Sequence, residues 1–216
     1  MQIMKRIPTR KFLSLASTVI FLAGCLAQAQ TATNQSALKP PPGAKVALIE
    51  FADLECPSCA HQNPLLKDAV AKYHIPWQRH DFPIAYHRWS TQAAINARWF
   101  DTKSQKVGDE YRDAVFASQI SIETPDDLRT FTDKFAKDRG IAMPFVVDPQ
   151  SKFADAVKAD YALGERLGVH QTPTVWVVTD KHGVANATEV KDFNKLYEML
   201  DTAIAETSSN EKQARK

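Results

Sequence analysis

Two cysteines separated by two residues lie between an apolar run and an amphipathic segment, and no other feature of the sequence constrains the fold as strongly. The apolar run, residues 45–52, predicts a central strand covered on both sides, because both of its faces are apolar. After the cysteines, apolar residues at steps of three and four predict a helix with one buried face. These residues are Leu65, Leu66, Ala69, Val70 and Tyr73. Cys56 and Cys59 therefore lie where a strand gives way to a helix.

The start of a helix is a favourable place for a negatively charged sulfur atom. Backbone N–H groups there have no partner within the helix, and the helix dipole favours negative charge. Since the thiolate is the form that attacks disulfides, we predict that Cys56 is an exposed, ionised nucleophile. Cys59 lies one turn later and is predicted to be the shielded partner with which Cys56 forms a redox disulfide. Pro57 occupies an early helical position, where its missing N–H costs little.

A Cys-x-x-Cys pair is also one half of many zinc sites, so a structural metal site is the main alternative. A zinc site needs about four ligands. Cys56, Cys59 and the nearby His61 are too close together in the sequence to form one without help. We therefore predict neither a metal site nor a cofactor.

The remaining patterns predict three more strands around a helical block. Residues 77–82 predict a second strand, and residues 85–167 are helical in pattern, with Thr124-Pro125 as a helix start and Gly140 and Gly168 as helix ends. Residues 174–179 and 184–190 predict two strands joined by a turn. The closing helix has one apolar face, made of Phe193, Leu196, Tyr197, Leu200 and Ile204. This order predicts an α/β chain, a thioredoxin-like sheet with a helical insertion between the second and third strands.

The first 24 residues are typical of an export signal. Four basic residues precede an apolar run that is shorter than the roughly 20 residues of a membrane-spanning helix. Leu22-Ala23-Gly24-Cys25 resembles a bacterial lipobox, in which Cys25 would be lipidated, whereas Ala27-Gln28-Ala29 fits ordinary secretory cleavage. Both patterns place the body outside the cytoplasm, in the periplasm or an equivalent compartment, as a lipoprotein or as a soluble protein.

The exported part divides into a linker, one domain and a tail. Residues 25–43 are small and polar and end in three prolines, which predicts a linker. Residues 44–206 form the domain, and residues 207–216 a frayed tail. Four of the 27 basic residues lie in the signal, so 23 remain against 25 acidic residues. This near-neutral body gives no reason to propose nucleic acid as a partner.

Cysteine usage favours redox chemistry over structural cross-linking. With Cys25 assigned to the signal, Cys56 and Cys59 are the only cysteines left. A disulfide between them would close too small a loop to constrain a chain of this length. In an oxidising compartment, such a pair is more typical of thiol–disulfide exchange.

Several segments taken together resemble the DsbA-type branch of the thioredoxin superfamily. They are the ten residues from Glu50 to Cys59, Pro64 in the following helix, and Gly168-Val169-His170-Gln171-Thr172-Pro173-Thr174. Phe82-Pro83 with His87, and residues 136–141, are similar to parts of that family's helical insertion. The resemblance covers residues 45–206 and implies a thiol–disulfide oxidoreductase.

The resemblance also implies roles for individual residues. The family has a buried acid six residues before the first cysteine, where Glu50 stands, and burial would raise its pKa and suit it to moving protons for Cys59. Thr172-Pro173 matches a loop whose proline is cis and faces the disulfide, and whose backbone could pair with an extended substrate. Ser58 stands where DsbA itself has histidine. A neutral hydroxyl stabilises a thiolate less than a cation does, so we predict a less depressed Cys56 pKa and a weaker oxidant.

The leading hypothesis is a monomeric oxidase of exported proteins that contain cysteines, reoxidised by a redox partner in the membrane. One alternative is a disulfide reductase or isomerase that uses the same pair. Isomerases of this superfamily usually add a dimerisation domain, and residues 30–43 are too short to form one. Another alternative is a non-catalytic thioredoxin-fold module that binds peptides or a metal.

Overall fold

The fold is built on a four-stranded mixed sheet. The computed structural model describes residues 37–181 and 183–208. The strands are β1 (Val46–Ala52), β2 (Trp77–Asp81), β3 (Thr174–Lys181) and β4 (Val184–Glu189). Their order in the sheet is β2-β1-β3-β4. Strand β1 is parallel to β2 and antiparallel to β3, and β3 is antiparallel to β4.

Six helices surround this sheet in the described part of the chain. Helix α1 (Pro57–Tyr73) connects β1 to β2, and α6 (Leu196–Ser208) closes the fold. Between β2 and β3 lie α2 (Ser90–Asp101), α3 (Gln105–Ser118), α4 (Pro125–Lys137) and α5 (Lys152–Arg166). The predicted α/β fold with a helical insertion between the second and third strands is confirmed. Within the described residues, no helix has the length and apolar character needed to span a membrane.

Strand β1 is buried on both sides, as its sequence predicts. Val46 and Leu48 face a core shared with α1 and α6. The alternate residues Ala47, Ile49 and Phe51 face a second core that includes residues of β3 and α5. Because side chains alternate along a strand, Glu50 lies on the same side as Leu48, beneath α1.

The predicted helix boundaries have the expected local chemistry. At the start of α4, the Thr124 hydroxyl accepts a hydrogen bond from the Asp127 N–H, and the Asp127 carboxylate accepts one from the Thr124 N–H. At the end of α5, Gly168 has a φ of +78°, and the Val169 N–H donates to the Gly164 carbonyl. Only glycine adopts this backbone conformation without strain, which explains the helix end.

The predicted bounds of the linker, the closing helix and the tail differ from the structure, and three predicted strands end one or two residues away from the observed ends. Leu38 is partly buried against the β1–β3 core and Pro40 is buried, so the linker predicted to reach residue 43 ends earlier. Phe193 belongs to a separate 3-10 turn (Phe193–Lys195) and not to the closing helix, because the chain turns there. Helix α6 runs to Ser208, two residues into the predicted tail, and Thr207 is buried. The export signal, Cys25 and residues 209–216 lie outside the described residues.

Ion pairs attach the helical insertion to the end of β2. Arg98 of α2 pairs with Asp81 of β2 and with Asp160 of α5, each at 2.5 Å. Asp160 also lies 2.9 Å from Nδ1 of His80 and accepts a hydrogen bond from the Asp81 N–H. Helices α2 and α5 are therefore both fixed to the same strand end.

Helix α5 approaches the sheet so closely that only glycine fits at one position. A Cβ atom on Gly164 would lie 2.6 Å from the Phe82 ring and 2.9 Å from the Phe51 ring. Glycine to alanine inside a helix usually stabilises by about 1 kcal/mol. We expect Gly164→Ala to do the opposite and lower the free energy of unfolding by about 1–3 kcal/mol, the usual cost of overpacking. Urea unfolding followed by circular dichroism measures this difference.

The adjacent exposed residue provides the control for this test. Glu165→Ala changes a solvent-facing side chain of the same turn, and we expect it to leave the free energy of unfolding within about 0.5 kcal/mol. A Gly164→Ala protein as stable as the parent would contradict the close packing of α5 on the sheet.

Candidate active site

Cys56 lies at the N-terminus of α1. It is the N-cap residue, with an extended backbone, and Pro57 occupies the first helical turn. Cys56 keeps 8% of its surface accessible, whereas Cys59 is fully buried. Cys56 is thus less exposed than predicted, and the Thr172 carbonyl is one of its neighbours, 3.3 Å from the sulfur. Of the two sulfurs, Cys56 is nonetheless the one that a substrate can reach.

The surroundings of Cys56 stabilise its thiolate. Its pKa is lowered from 9.0 to about 5. The Cys59 thiol contributes most, as a hydrogen-bond donor toward the Cys56 sulfur. Burial opposes this effect, and Thr172 and the backbone N–H groups of Cys59 and Ser58 add to it. Those two N–H groups are the unpaired donors expected at a helix start. The Ser58 side chain is exposed and uncharged, so it places no positive charge beside the thiolate.

Cys59 has the opposite environment. Burial raises its pKa above the ordinary value, and the neighbouring Cys56 and the Glu50 carboxylate raise it further. At neutral pH the reduced pair therefore consists of an ionised outer sulfur and a protonated inner one. This difference suits disulfide exchange, in which the outer sulfur reacts with a substrate and the inner sulfur must gain or lose a proton.

The loop before β3 lies against Cys56. The Thr172–Pro173 peptide bond is cis, as the family resemblance implies. The Cys56 sulfur lies 3.3 Å from the Thr172 carbonyl oxygen, across 116 residues of sequence, and donates a hydrogen bond to it when the thiol is protonated. The Thr174 hydroxyl donates to the Gln171 carbonyl at 2.7 Å and closes the loop. The structure thus brings Cys56, Cys59, Thr172 and Pro173 together.

Glu50 is buried beneath the cysteines, with 1% of its surface accessible. Burial raises its pKa from 4.5 to about 7, and the Arg79 guanidinium opposes that rise. The Trp77 indole N–H also lowers the Glu50 pKa. Its effect is weaker than that of Arg79, since it forms no hydrogen bond of normal geometry. Glu50 is therefore buried, and its pKa is raised, as the sequence led us to expect. Glu50 is close enough to affect the ionisation of Cys59.

Two carboxylates before Cys56, which sequence reasoning missed, attach the cysteine loop to the insertion. Asp53 accepts hydrogen bonds from the Glu55 N–H at 2.7 Å and the Ile84 N–H at 2.6 Å. It also lies 2.7 Å from Nδ1 of His87. The His87 side chain is only 14% exposed and pairs with buried Asp53, so it belongs to the interior of the site and not to the surface. These partners lie about 30 residues apart in sequence, and no local pattern connects them.

The other carboxylate, Glu55, and a glutamine complete these connections. Glu55 accepts hydrogen bonds from the Trp89 N–H at 2.7 Å and the Arg88 N–H at 3.1 Å. Gln119 donates to the carbonyls of Leu54 and Cys56, at 2.8 and 3.1 Å. Two exposed apolar side chains are thereby held beside the cysteine loop. They are Tyr86, which is 79% exposed, and Ile120, which is 96% exposed.

The Cys59 contribution to the Cys56 thiolate can be measured directly. In the reduced protein, we expect thiolate absorbance at 240 nm to titrate with a midpoint near pH 5. Cys59→Ala removes the strongest donor, and a hydrogen bond to a charged group is worth about 1.5–3 kcal/mol, so the midpoint should rise by about one to two pH units. Cys59→Ser keeps a donor and should shift it less. Equal midpoints in the alanine and parent proteins would contradict this role.

Comparison with known proteins agrees with this architecture. A family model described as thioredoxin matches residues 41–201. No curated protein sequence matched the chain significantly. Among solved structures, α-DsbA1 of Wolbachia pipientis superposes with a TM-score of 0.65 at 19% identity, over 82% of this chain and 98% of that one.

Two further structures show the same likeness. ScsC of Proteus mirabilis, in a transitional conformation, superposes with a TM-score of 0.62 at 16% identity, over 89% of this chain and 93% of that one. DsbA2 of Pseudomonas aeruginosa superposes with a TM-score of 0.56 at 19% identity, over 79% and 93%. The predicted DsbA-like fold is therefore confirmed. Since the family model spans the whole sheet, the cysteine pair and the insertion, the chain belongs to the thioredoxin family.

Proposed function

We propose that this protein is an exported thiol–disulfide oxidoreductase that oxidises cysteines of extracytoplasmic proteins through Cys56 and Cys59. The observation that carries the proposal is the lowered pKa of Cys56, about 5, beside a buried Cys59. A stabilised thiolate favours the reduced form of the protein, and a dithiol stabilised in this way makes its disulfide a stronger oxidant. The same property favours oxidation over reduction of substrates.

The reaction begins with the disulfide form. A substrate thiolate attacks the Cys56 sulfur, the Cys56–Cys59 bond breaks, and Cys59 leaves as a thiolate that takes up a proton. A second substrate thiolate then attacks the substrate sulfur of the mixed disulfide, and Cys56 leaves as a thiolate. The substrate loses two electrons to form its disulfide, and the protein gains them as a dithiol.

Glu50 is the proposed proton donor and acceptor for Cys59. With a pKa raised to about 7, it exchanges protons near neutral pH. As a carboxylic acid it supplies the proton that Cys59 takes up on leaving. As a carboxylate it removes that proton when the dithiol is reoxidised. Cys59 needs such a partner because its own pKa is raised by burial.

The surroundings of Cys56 suit an extended substrate. The Thr172 carbonyl is a backbone acceptor 3.3 Å from the Cys56 sulfur, and it is free to pair with a substrate strand once Cys56 is in a mixed disulfide. Tyr86 and Ile120, next in sequence to the residues that hold the cysteine loop, offer exposed apolar surface. Unfolded proteins expose apolar side chains beside their cysteines, which fits this surface.

The location and partners follow from the sequence and from the chemistry. The N-terminal signal supports export, either as a lipoprotein anchored at Cys25 or as a soluble protein. An oxidase that turns over needs a disulfide-bearing acceptor, for which we propose a membrane redox protein. We propose that the protein acts as a monomer. Mass spectrometry of the mature N-terminus and light scattering test the first and last of these points.

The direction of electron flow is tested by the reduction potential. Equilibration with glutathione should give a value between about −120 mV, that of DsbA, and about −200 mV, because Ser58 replaces a cation. The disulfide form should accelerate oxidative refolding of a reduced protein, and Cys56→Ser should abolish this. A potential near the roughly −270 mV of thioredoxin, together with insulin reduction, would favour the reductase. Stoichiometric zinc with neither thiol activity would favour a binding module.

The role of Glu50 is tested by replacing its carboxylate with an amide. Glu50→Gln should slow reoxidation of the dithiol by about 10-fold or more above pH 7, within the usual range for general acid–base catalysis. The dependence of this rate on a group of pKa about 7 should disappear. Glu189→Gln, an exposed change on β4, serves as the control. An unchanged pH profile in Glu50→Gln would remove Glu50 from the mechanism.

A further inference from the structure

The Arg79 guanidinium lies among three carboxylates, one from the sheet and two from the insertion. On the sheet side, Arg79 of β2 is the direct neighbour of Glu50 in the pairing of β1 with β2. On the insertion side, α3 places Asp113 at 3.6 Å from Nη2 and Asp109 at 3.7 Å from Nη1. Both distances exceed normal hydrogen-bond length, so neither aspartate holds the guanidinium in a tight pair.

The position of the guanidinium is constrained on its remaining sides. Arg79 lies over the Trp77 ring, with its central carbon 3.6 Å from the ring centroid. Its Nη2 donates a long hydrogen bond of 3.5 Å to Oδ1 of Asn63 in α1. The side chain is only 14% exposed and lines a cavity of about 590 Å³ that Lys67 and Lys106 also line. A small movement within this space would change its distance from Glu50.

Asp113 is anchored more firmly than Arg79. Its carboxylate accepts a hydrogen bond of 3.0 Å from the Asn63 side chain and pairs with Lys67 at 2.5 Å. Both partners belong to α1, the helix that carries the two cysteines. Asp113 therefore connects α3 of the insertion to the helix of the active site, and it faces Arg79 from that fixed position.

We propose that Asp113 is a positioning residue for the proton transfer at Cys59. Its negative charge, 3.6 Å from Nη2, attracts the Arg79 guanidinium toward α3 and thereby limits the positive charge that Arg79 places beside Glu50. This inference rests on the proposed function, since it assigns an electrostatic control to the same site. The proton transfer that it controls is Cys59–SH + Glu50–COO⁻ ⇌ Cys59–S⁻ + Glu50–COOH.

The charges around Glu50 determine the direction of the expected effects. Arg79 of β2 and Cys59 of α1 act on Glu50, and β3 places the uncharged Val175 opposite it. Arg79 in turn is acted on by Asp109, Asp113 and Arg112 of α3. Removing the Asp113 charge takes away a nearby negative group, and it also lets the Arg79 guanidinium act more strongly on Glu50. Both changes favour the ionised form of Glu50. Removing the Arg79 charge favours the carboxylic acid.

The test is the protonation midpoint of Glu50 in variants of the complete chain. It is read from the side-chain carboxyl ¹³C shift, assigned with Glu50→Gln, in the disulfide form, where neither cysteine titrates. We expect Asp113→Asn to lower the midpoint by about one pH unit and Arg79→Gln to raise it by at least as much. Arg79→Lys keeps the positive charge and should restore the midpoint to within about half a unit of the parent.

Asp138→Asn is the matched control. Asp138 is another insertion aspartate paired with a lysine, Lys134, at 2.5 Å, but it is exposed. Its substitution should leave the midpoint unchanged. A loss of structure alone would expose Glu50 and lower the midpoint in both the Asp113 and the Arg79 variants, so shifts of opposite sign are diagnostic. An unchanged or raised midpoint in Asp113→Asn would overturn the proposal.

The outcomes also separate this inference from the proposed function. If the parent protein exchanges disulfides but Asp113→Asn leaves the Glu50 midpoint in place, only the electrostatic control fails. If the midpoints shift as expected but the parent has no exchange activity, the proposed function fails and the charge arrangement stands. With both intact, the reoxidation rate of Asp113→Asn below pH 7 should increase several-fold, because more Glu50 is then ionised.

Discussion

The candidate site depends on the contrast between two sulfur atoms that are one helical turn apart. Cys56 lies where α1 begins, and the free N–H groups of that turn, together with the Cys59 thiol, stabilise its negative charge. Cys59 is sealed in the core, where burial disfavours charge. The contrast gives the two sulfurs different roles. The outer sulfur reacts with other molecules, and the inner sulfur forms or breaks the disulfide with the outer one. The rest of the site either positions this pair or supplies the proton that the inner sulfur needs.

Strand β1 makes this arrangement possible. Its two apolar faces fix it at the centre of the sheet, so the chain that leaves it must enter α1 at a defined place. The same burial places the one carboxylate of the strand, Glu50, beneath the helix and raises its pKa. Beyond the strand, Asp53 and Glu55 hold the cysteine loop against the segment after β2. Core packing and chemistry thus depend on one continuous stretch, from Val46 to Cys59.

Local patterns in the sequence predicted much of this, and the failures share one cause. Apolar periodicity is enough for β1, α1 and the closing helix, and the Thr124 start of α4 has a recognisable capping pattern. The burial of Glu50 could be predicted because its neighbours are apolar. The pairs Asp53–His87 and Arg79–Asp113 could not, since each joins residues 34 positions apart in the sequence and polar pairs leave no periodic signal. Leu38 and Pro40 were assigned to a linker because packing against a distant core has no signature in a short polar stretch.

The polar sequence of β2 is explained by the way the insertion is attached. Its three charged or titratable residues each pair with a different insertion helix: Arg79 with α3, His80 with α5 and Asp81 with α2. Partly buried ion pairs add little net stability, because desolvation offsets their attraction, but they tolerate few alternative geometries. A strand made of such residues therefore contributes more to the orientation of the insertion on the sheet than to the free energy that holds it there. Arg79 is also the counter-ion of Glu50, so a change in how the insertion docks necessarily changes the electrostatic environment of the proton that Cys59 exchanges.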